Sequence, residues 1–85
     1  MKNITVYMGP MYSYCDAAKR LLNKKNIPFK EINIALEEGK MEEMLKKSNG
    51  MKTIPQIFIG DHYIGGNDKL QEANRTGELD KLLSS

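Results

Sequence analysis

Eighty-five residues, 40% of them apolar and 28% charged, predict one small domain over residues 1–85, because so short a chain buries only about 60–65% of the surface it exposes unfolded. Thirteen basic against eleven acidic side chains leave a net charge of +2, too weak to argue for nucleic acid or an anionic membrane as partner. The single cysteine, Cys15, excludes an internal disulfide framework, a cysteine-rich zinc site and a self-contained dithiol pair.

In chain order, Ile4-Thr5-Val6-Tyr7 is β-branched and aromatic and predicts a first strand, ended by Gly9-Pro10. A helix is expected from Ser13, read as its N-cap with Asp16 three residues on. Ala18, Leu21 and Leu22 form its apolar face, and Asn26-Ile27-Pro28 stops it. Residues 29–34 alternate apolar and polar, a second strand. Residues 37–48 return to a helical pattern with Met41, Met44 and Leu45 on one side, stopped by Asn49-Gly50. Residues 56–59 and 62–64 read as two strands joined by a tight turn at Gly60-Asp61. After Gly65-Gly66, Asn67-Asp68 can cap a last helical region that carries Leu70, Ala73, Leu79, Leu82 and Leu83 and is interrupted near Thr76-Gly77. The order β-α-β-α-β-β-α implies an α/β fold, a four-stranded mixed sheet with helices on both faces and the first and third strands buried. No signal peptide or membrane span is visible, and an unpaired thiol fits a reducing compartment, so the expected location is cytoplasmic.

Three features carry chemistry, each with a plain structural reading beside it. Cys15 stands at a helix start, where the helix's positive end lowers a thiol's pKa, yet cysteine is often simply a small buried apolar residue and Asp16 opposes thiolate formation. Thr53-Ile54-Pro55 precedes a strand and either exposes the Ile54 backbone to an extended peptide or forms an ordinary loop. Gly65-Gly66-Asn67-Asp68 opens a helix whose N–H groups suit a carboxylate or phosphate, or is a plain strand-to-helix turn.

Taken together, Tyr14-Cys15-Asp16-Ala17-Ala18-Lys19-Arg20-Leu21-Leu22, Thr53-Ile54-Pro55-Gln56-Ile57-Phe58-Ile59 and Ile64-Gly65-Gly66-Asn67-Asp68 resemble the glutaredoxins of the thioredoxin-like superfamily, from Ile4 to about Leu83. The resemblance implies a thioredoxin-like fold, a cis Ile54–Pro55 bond, and a glutathione-dependent thiol–disulfide oxidoreductase acting on disulfides and glutathione mixed disulfides. It implies that Tyr14, Lys52, Thr53, Ile54, Pro55, Gly66, Asn67 and Asp68 hold glutathione. In that reading Ile54 pairs its backbone with the cysteinyl segment, and residues 66–68 receive the γ-glutamyl end. Lys52 stands in for the family's lysine before the first cysteine, absent from Met8-Gly9-Pro10-Met11. Tyr14 and Lys52 have simpler readings as a helix-start packing residue and a solvated lysine.

The family's motif begins with the nucleophilic cysteine. Here Tyr12 occupies that position, and Cys15 falls on the resolving one, almost a helical turn further in. A phenol forms no mixed disulfide, so little or no turnover is expected. No metal site is expected, since the family's cluster binding uses the same first cysteine. Partners are glutathione and glutathionylated or disulfide-containing proteins, with no nucleic acid and no membrane, and the chain is read as a monomer. The alternative is a non-catalytic glutathione- or protein-binding module on the same fold.

Overall fold

A computed structural model describes residues 3–9 and 13–84, with backbone alone at residues 13–15. The chain runs β1 (Ile4–Met8), α1 (Ser13–Lys24), β2 (Phe29–Asn33), α2 (Lys40–Lys47), β3 (Gln56–Ile59), β4 (His62–Gly65), α3 (Asn67–Thr76) and α4 (Glu78–Ser84). The expected element order holds, with the last helical region divided at Gly77, the C-cap of α3.

The sheet order is β2-β1-β3-β4. β1 pairs parallel with β2 and antiparallel with β3, and β3 and β4 close as an antiparallel hairpin. β1 and β3 are therefore central, as anticipated. Side chains alternate across a strand, so β1 and β3 each feed two cores. Ile4, Val6, Ile57 and Ile59 pack with Ala18 and Leu22 of α1, Leu70 and Ala73 of α3, and Leu79 and Leu83 of α4. On the opposite face Tyr7 and Phe58 meet Ile32 of β2 and Met44 of α2. Helices cover both faces.

Element ends follow local chemistry. Asn26 adopts left-handed backbone (φ 57°) and Ile27 N–H donates to Leu22 O at 2.9 Å, ending α1 where the sequence predicts. Asn49 (φ 59°) ends the α2 region in the same way, with Gly50 N–H donating to Leu45 O at 2.7 Å. Several boundaries differ from the sequence reading: β1 and β4 each run one residue further, to Met8 and Gly65, and α2 ends at Lys47. Ser13 is the first helical residue of α1, and the position before it lies outside the described residues. β2 stops at Asn33, although Ile34 N–H still donates to Met8 O at 2.9 Å.

The largest difference is the start of α2, at Lys40 rather than residue 37. Gly39 takes a left-handed conformation (φ 78°) that an L side chain rarely adopts. Residues 34–39 form turns instead, tied by Ala35 N–H to Asn33 Oδ1 at 2.9 Å and Asn33 N–H to Glu37 Oε2 at 3.1 Å. Glu37 thus braces the turn from outside the helix.

α2 is pinned to the sheet by Tyr7 OH, which donates to Glu43 Oε2. Lys40 Nζ bridges the same carboxylate at 3.2 Å. Burial first, then the neighbouring carboxylate, pushes the Tyr7 phenol well above its ordinary 10.0. The Tyr7 hydrogen bond holds Glu43 below its ordinary 4.5; desolvation, the next largest effect, opposes it, and Lys40 and Lys47 add smaller lowering effects. The stabilisation tied to the lowered Glu43 pKa is present above pH 4.5 and lost as pH falls through the folded value. The part tied to the raised Tyr7 pKa is present below pH 10.0 and lost as pH rises toward the folded value. Urea midpoints across pH are expected to show a plateau between these limits. Tyr7→Phe should lower that plateau by roughly 1 kcal/mol and blunt the acid limb. An acid limb unchanged in Tyr7→Phe would show that the pin carries no stability.

Candidate functional site

Two chain segments supply the residues of the site. The first is the loop from Met51 into β3; the second is the end of β4 with the first turn of α3. Between them lies a groove of about 1030 Å³. Lys52, Thr53, Ile54, Pro55, Gly66, Asn67 and Asp68 all line it, so seven residues drawn from two distant motifs share one surface.

The loop is anchored from below. Ile54 packs its side chain against the Tyr7, Ile32, Met44 and Phe58 cluster. A Cβ on Gly9 would lie 2.7 Å from Ile54 Cδ1, so the end of β1 and this side chain meet closely. Pro55 is buried, and the Ile54–Pro55 bond is cis, as the resemblance implies. With its side chain turned into the core, Ile54 meets the groove through its backbone. Among the described residues no intramolecular partner engages the Ile54 N–H.

Opposite stands the start of α3. Its N-cap is Gly66, in extended backbone with no side-chain cap, whereas the sequence reading gave the capping role to Asn67-Asp68. A Cβ on Gly66 would sit 3.4 Å from Pro55 O. The helix start thus lies against the proline loop at ordinary contact distance. Asn67 is already helical, and its Oδ1 accepts from Gln71 Nε2 at 3.1 Å. Asp68 occupies the first turn and is exposed, and N–H groups at a helix start have no intrahelical acceptor. This end presents N–H donors and a carboxylate side by side, a combination suited to a group bearing both carboxylate and ammonium.

Lys52 is exposed on one rim and Lys69 on the other, where Lys69 Cγ runs close over Gly65. Two lysines against Asp68 make the lining attractive to an anionic ligand. His62 is exposed on β4. Tyr12 lies outside the described residues. Tyr14 and Cys15 belong to the first turn of α1.

Gln56 and Tyr63 line the groove as well, outside the site residues that the sequence suggests. Gln56 is 1% exposed, and its Nε2 donates to Thr53 O at 2.7 Å and to Thr53 Oγ1 at 3.0 Å. Its Oε1 accepts from Tyr63 OH, whose ring stacks on Phe58 at 5.0 Å. Burial raises the Tyr63 phenol above its ordinary 10.0, so the hydroxyl keeps its proton at neutral pH. The available signal was a polar residue opening an otherwise apolar strand, and a buried amide needs partners.

The family model for glutaredoxin matches residues 4–64. The chain belongs to the glutaredoxin family. Glutaredoxin 3 of Escherichia coli K12 is 43% identical over 83 residues, covering 98% of this chain and 99% of that protein. Glutaredoxin 1 of Rickettsia conorii is 41% identical over 86 residues, covering 100% of this chain and 84% of that protein. Among solved structures, the glutaredoxin of Brucella melitensis superposes with a TM-score of 0.82 at 38% identity, covering 98% of this chain and 89% of the other. A buckwheat glutaredoxin–glutathione complex superposes with a TM-score of 0.84 at 27% identity, covering 95% and 76%. The fold is thus the thioredoxin-like fold of glutaredoxins, and the relatives support a role of thiol–disulfide oxidoreductase type. Among the described residues no helix is long and apolar enough to cross a membrane.

Proposed function

We propose that this glutaredoxin binds glutathione in the groove between the Thr53–Pro55 loop and the start of α3, and that as written it turns over little or not at all. The observation that supports the binding half most strongly is the convergence of Ile54, Gly66 and Asp68 on one cleft. The tripeptide's cysteinyl segment lies extended along Ile54 and pairs with its N–H and C=O, a peptide-edge mode of recognition. Its γ-glutamyl carboxylate takes the N–H groups of residues 66–68, and Asp68 accepts from the ammonium. Lys52 meets the glycine carboxylate. A glutathione complex of a buckwheat relative at TM-score 0.84 favours the same ligand here.

In this reading glutathione is both reductant and ligand, and the natural partners are glutathionylated or disulfide-containing proteins. The chain acts as a monomer, in the reducing cytoplasm that a single unpaired thiol suits. The missing turnover follows from Tyr12 at the nucleophile's position: disulfide exchange needs a thiolate to attack one sulfur and release the other.

Backbone NMR during a glutathione titration tests the binding half. Amide shifts are expected at Ile54, Asn67 and Asp68, saturating with ligand and absent from the turn at Asn26 that ends α1, away from the groove. Spectra unchanged through millimolar glutathione would remove the groove assignment.

A further inference from the structure

We infer that Gln56 is a positioning residue for the groove: by gripping the Thr53 carbonyl from inside the protein, it aims the Ile54 N–H at the ligand. The inference rests on the groove being the glutathione site. Its geometric part concerns the backbone alone.

Thr53 O and Ile54 N belong to one peptide unit, and the cis bond lies one residue later, between Ile54 and Pro55. In a trans peptide the C=O and N–H point in opposite directions. Whatever holds the carbonyl therefore sets the direction of the amide hydrogen. Gln56 Nε2 holds that carbonyl at 2.7 Å and the Thr53 hydroxyl at 3.0 Å. A carbonyl only accepts, so the Gln56 amide must present its nitrogen to Thr53 and its oxygen to Tyr63, whose hydroxyl donates to it.

This arrangement satisfies a side chain that is otherwise fully enclosed, and among the described residues no buried side-chain polar atom lacks a partner. Gln56 is itself held at both ends. Its backbone is opposite Tyr7 in the β1–β3 ladder, and its amide oxygen is tied to Tyr63 on β4. The loop is thereby referenced to two sheet strands, although its own residues, from exposed Thr53 to half-buried Ile54, lie at the protein's edge. A ligand that bonds the Ile54 N–H then finds it already oriented, which spares the ordering cost of binding.

Gln56→Met keeps the length and apolar bulk of the side chain while deleting its hydrogen bonds. Tyr63→Phe deletes the hydroxyl that orients the amide but leaves both bonds to Thr53 available. Residual dipolar couplings report the Ile54 N–H direction with no ligand present, and the glutathione titration reports affinity. In a cooperatively melting Gln56→Met, we expect the Ile54 coupling to change while those of Ile4 and Ile57 stay. Glutathione binding should weaken about tenfold, the equivalent of one hydrogen bond. Tyr63→Phe should shift both readouts in the same direction by less.

A folded Gln56→Met with the parent Ile54 coupling and affinity overturns the inference. If that variant does not melt cooperatively, Tyr63→Phe decides by the same two readouts, and parent values there overturn it. If the parent chain itself shows no glutathione shifts, the groove assignment falls, while the Ile54 coupling still decides the role of Gln56.

Discussion

Tyr12→Cys is expected to turn a chain with negligible disulfide exchange into an active glutathione-dependent oxidoreductase. The physical grounds lie in what a helix start offers a thiol. The peptide dipoles of α1 place partial positive charge at its first turn, and that charge stabilises a thiolate just outside it. Position 12 immediately precedes the first helical residue, Ser13. Cys15 lies two residues inside the helix, about 3 Å along its axis from Ser13, with exposed Asp16 adding an opposing charge beside it.

A tyrosine at position 12 supplies no sulfur for a mixed disulfide. A phenol forms no mixed disulfide in either protonation state, because exchange requires sulfur. Removing the nucleophile from an enzyme built around it costs on the order of 10⁶-fold in kcat, and even with residual exchange through Cys15 the gain on restoring it should exceed ~10²-fold. The measurement is glutathione-dependent reduction of a mixed-disulfide substrate by the parent chain, Tyr12→Cys and Cys15→Ser. Full activity in the parent chain, abolished by Cys15→Ser, would instead make Cys15 the nucleophile. Activity in neither the parent nor Tyr12→Cys would leave the groove as a binding surface.

Leu70→Ala is expected to have the largest effect on stability. Leu70 is fully buried among α1, α3, α4 and the central strands, and it lies in the helix whose first turn forms one wall of the groove. Truncating such a leucine removes its transfer free energy and leaves a cavity, together about 2–5 kcal/mol. That is a large part of the roughly 5–15 kcal/mol by which domains are stable. For a chain of this length each kcal/mol moves Tm by about 4–8 °C. Thermal melts should therefore show a loss of at least ~10 °C, with glutathione affinity of the folded fraction little changed, because the groove residues keep their positions. A Tm within a degree or two of the parent would mean that α3 is held to the sheet by something other than this contact.

Much of this molecule is legible in the order of its residues. The β-branched, aromatic run of β1, the left-handed asparagines at 26 and 49, and the tight turn at Gly60-Asp61 all act over a few residues. Local geometry therefore sets those elements whatever the rest of the chain does. The motif order from Cys15 through Ile54-Pro55 to Gly66-Asn67-Asp68 likewise pointed to the family and to one face of the groove. Local patterns were less reliable where two of them competed. The helical spacing of residues 37–39 yielded to the left-handed Gly39, and the capping chemistry of Asn67 yielded to Gly66, which approaches Pro55.

What the sequence by itself determined was a family, an element order, and a single cysteine with Tyr12 three residues before it. Spacing along the chain is enough for each of these. Only the tertiary structure decided that residues 52–55 and 66–68 share one cleft, that Ile54 meets it through backbone, and that Gln56 joins Thr53 to Tyr63 beneath it. Those facts depend on β3 and β4 folding back on each other and on Gly66 closing against Pro55. Such contacts join residues distant in sequence, and a buried amide's partners are selected by that packing.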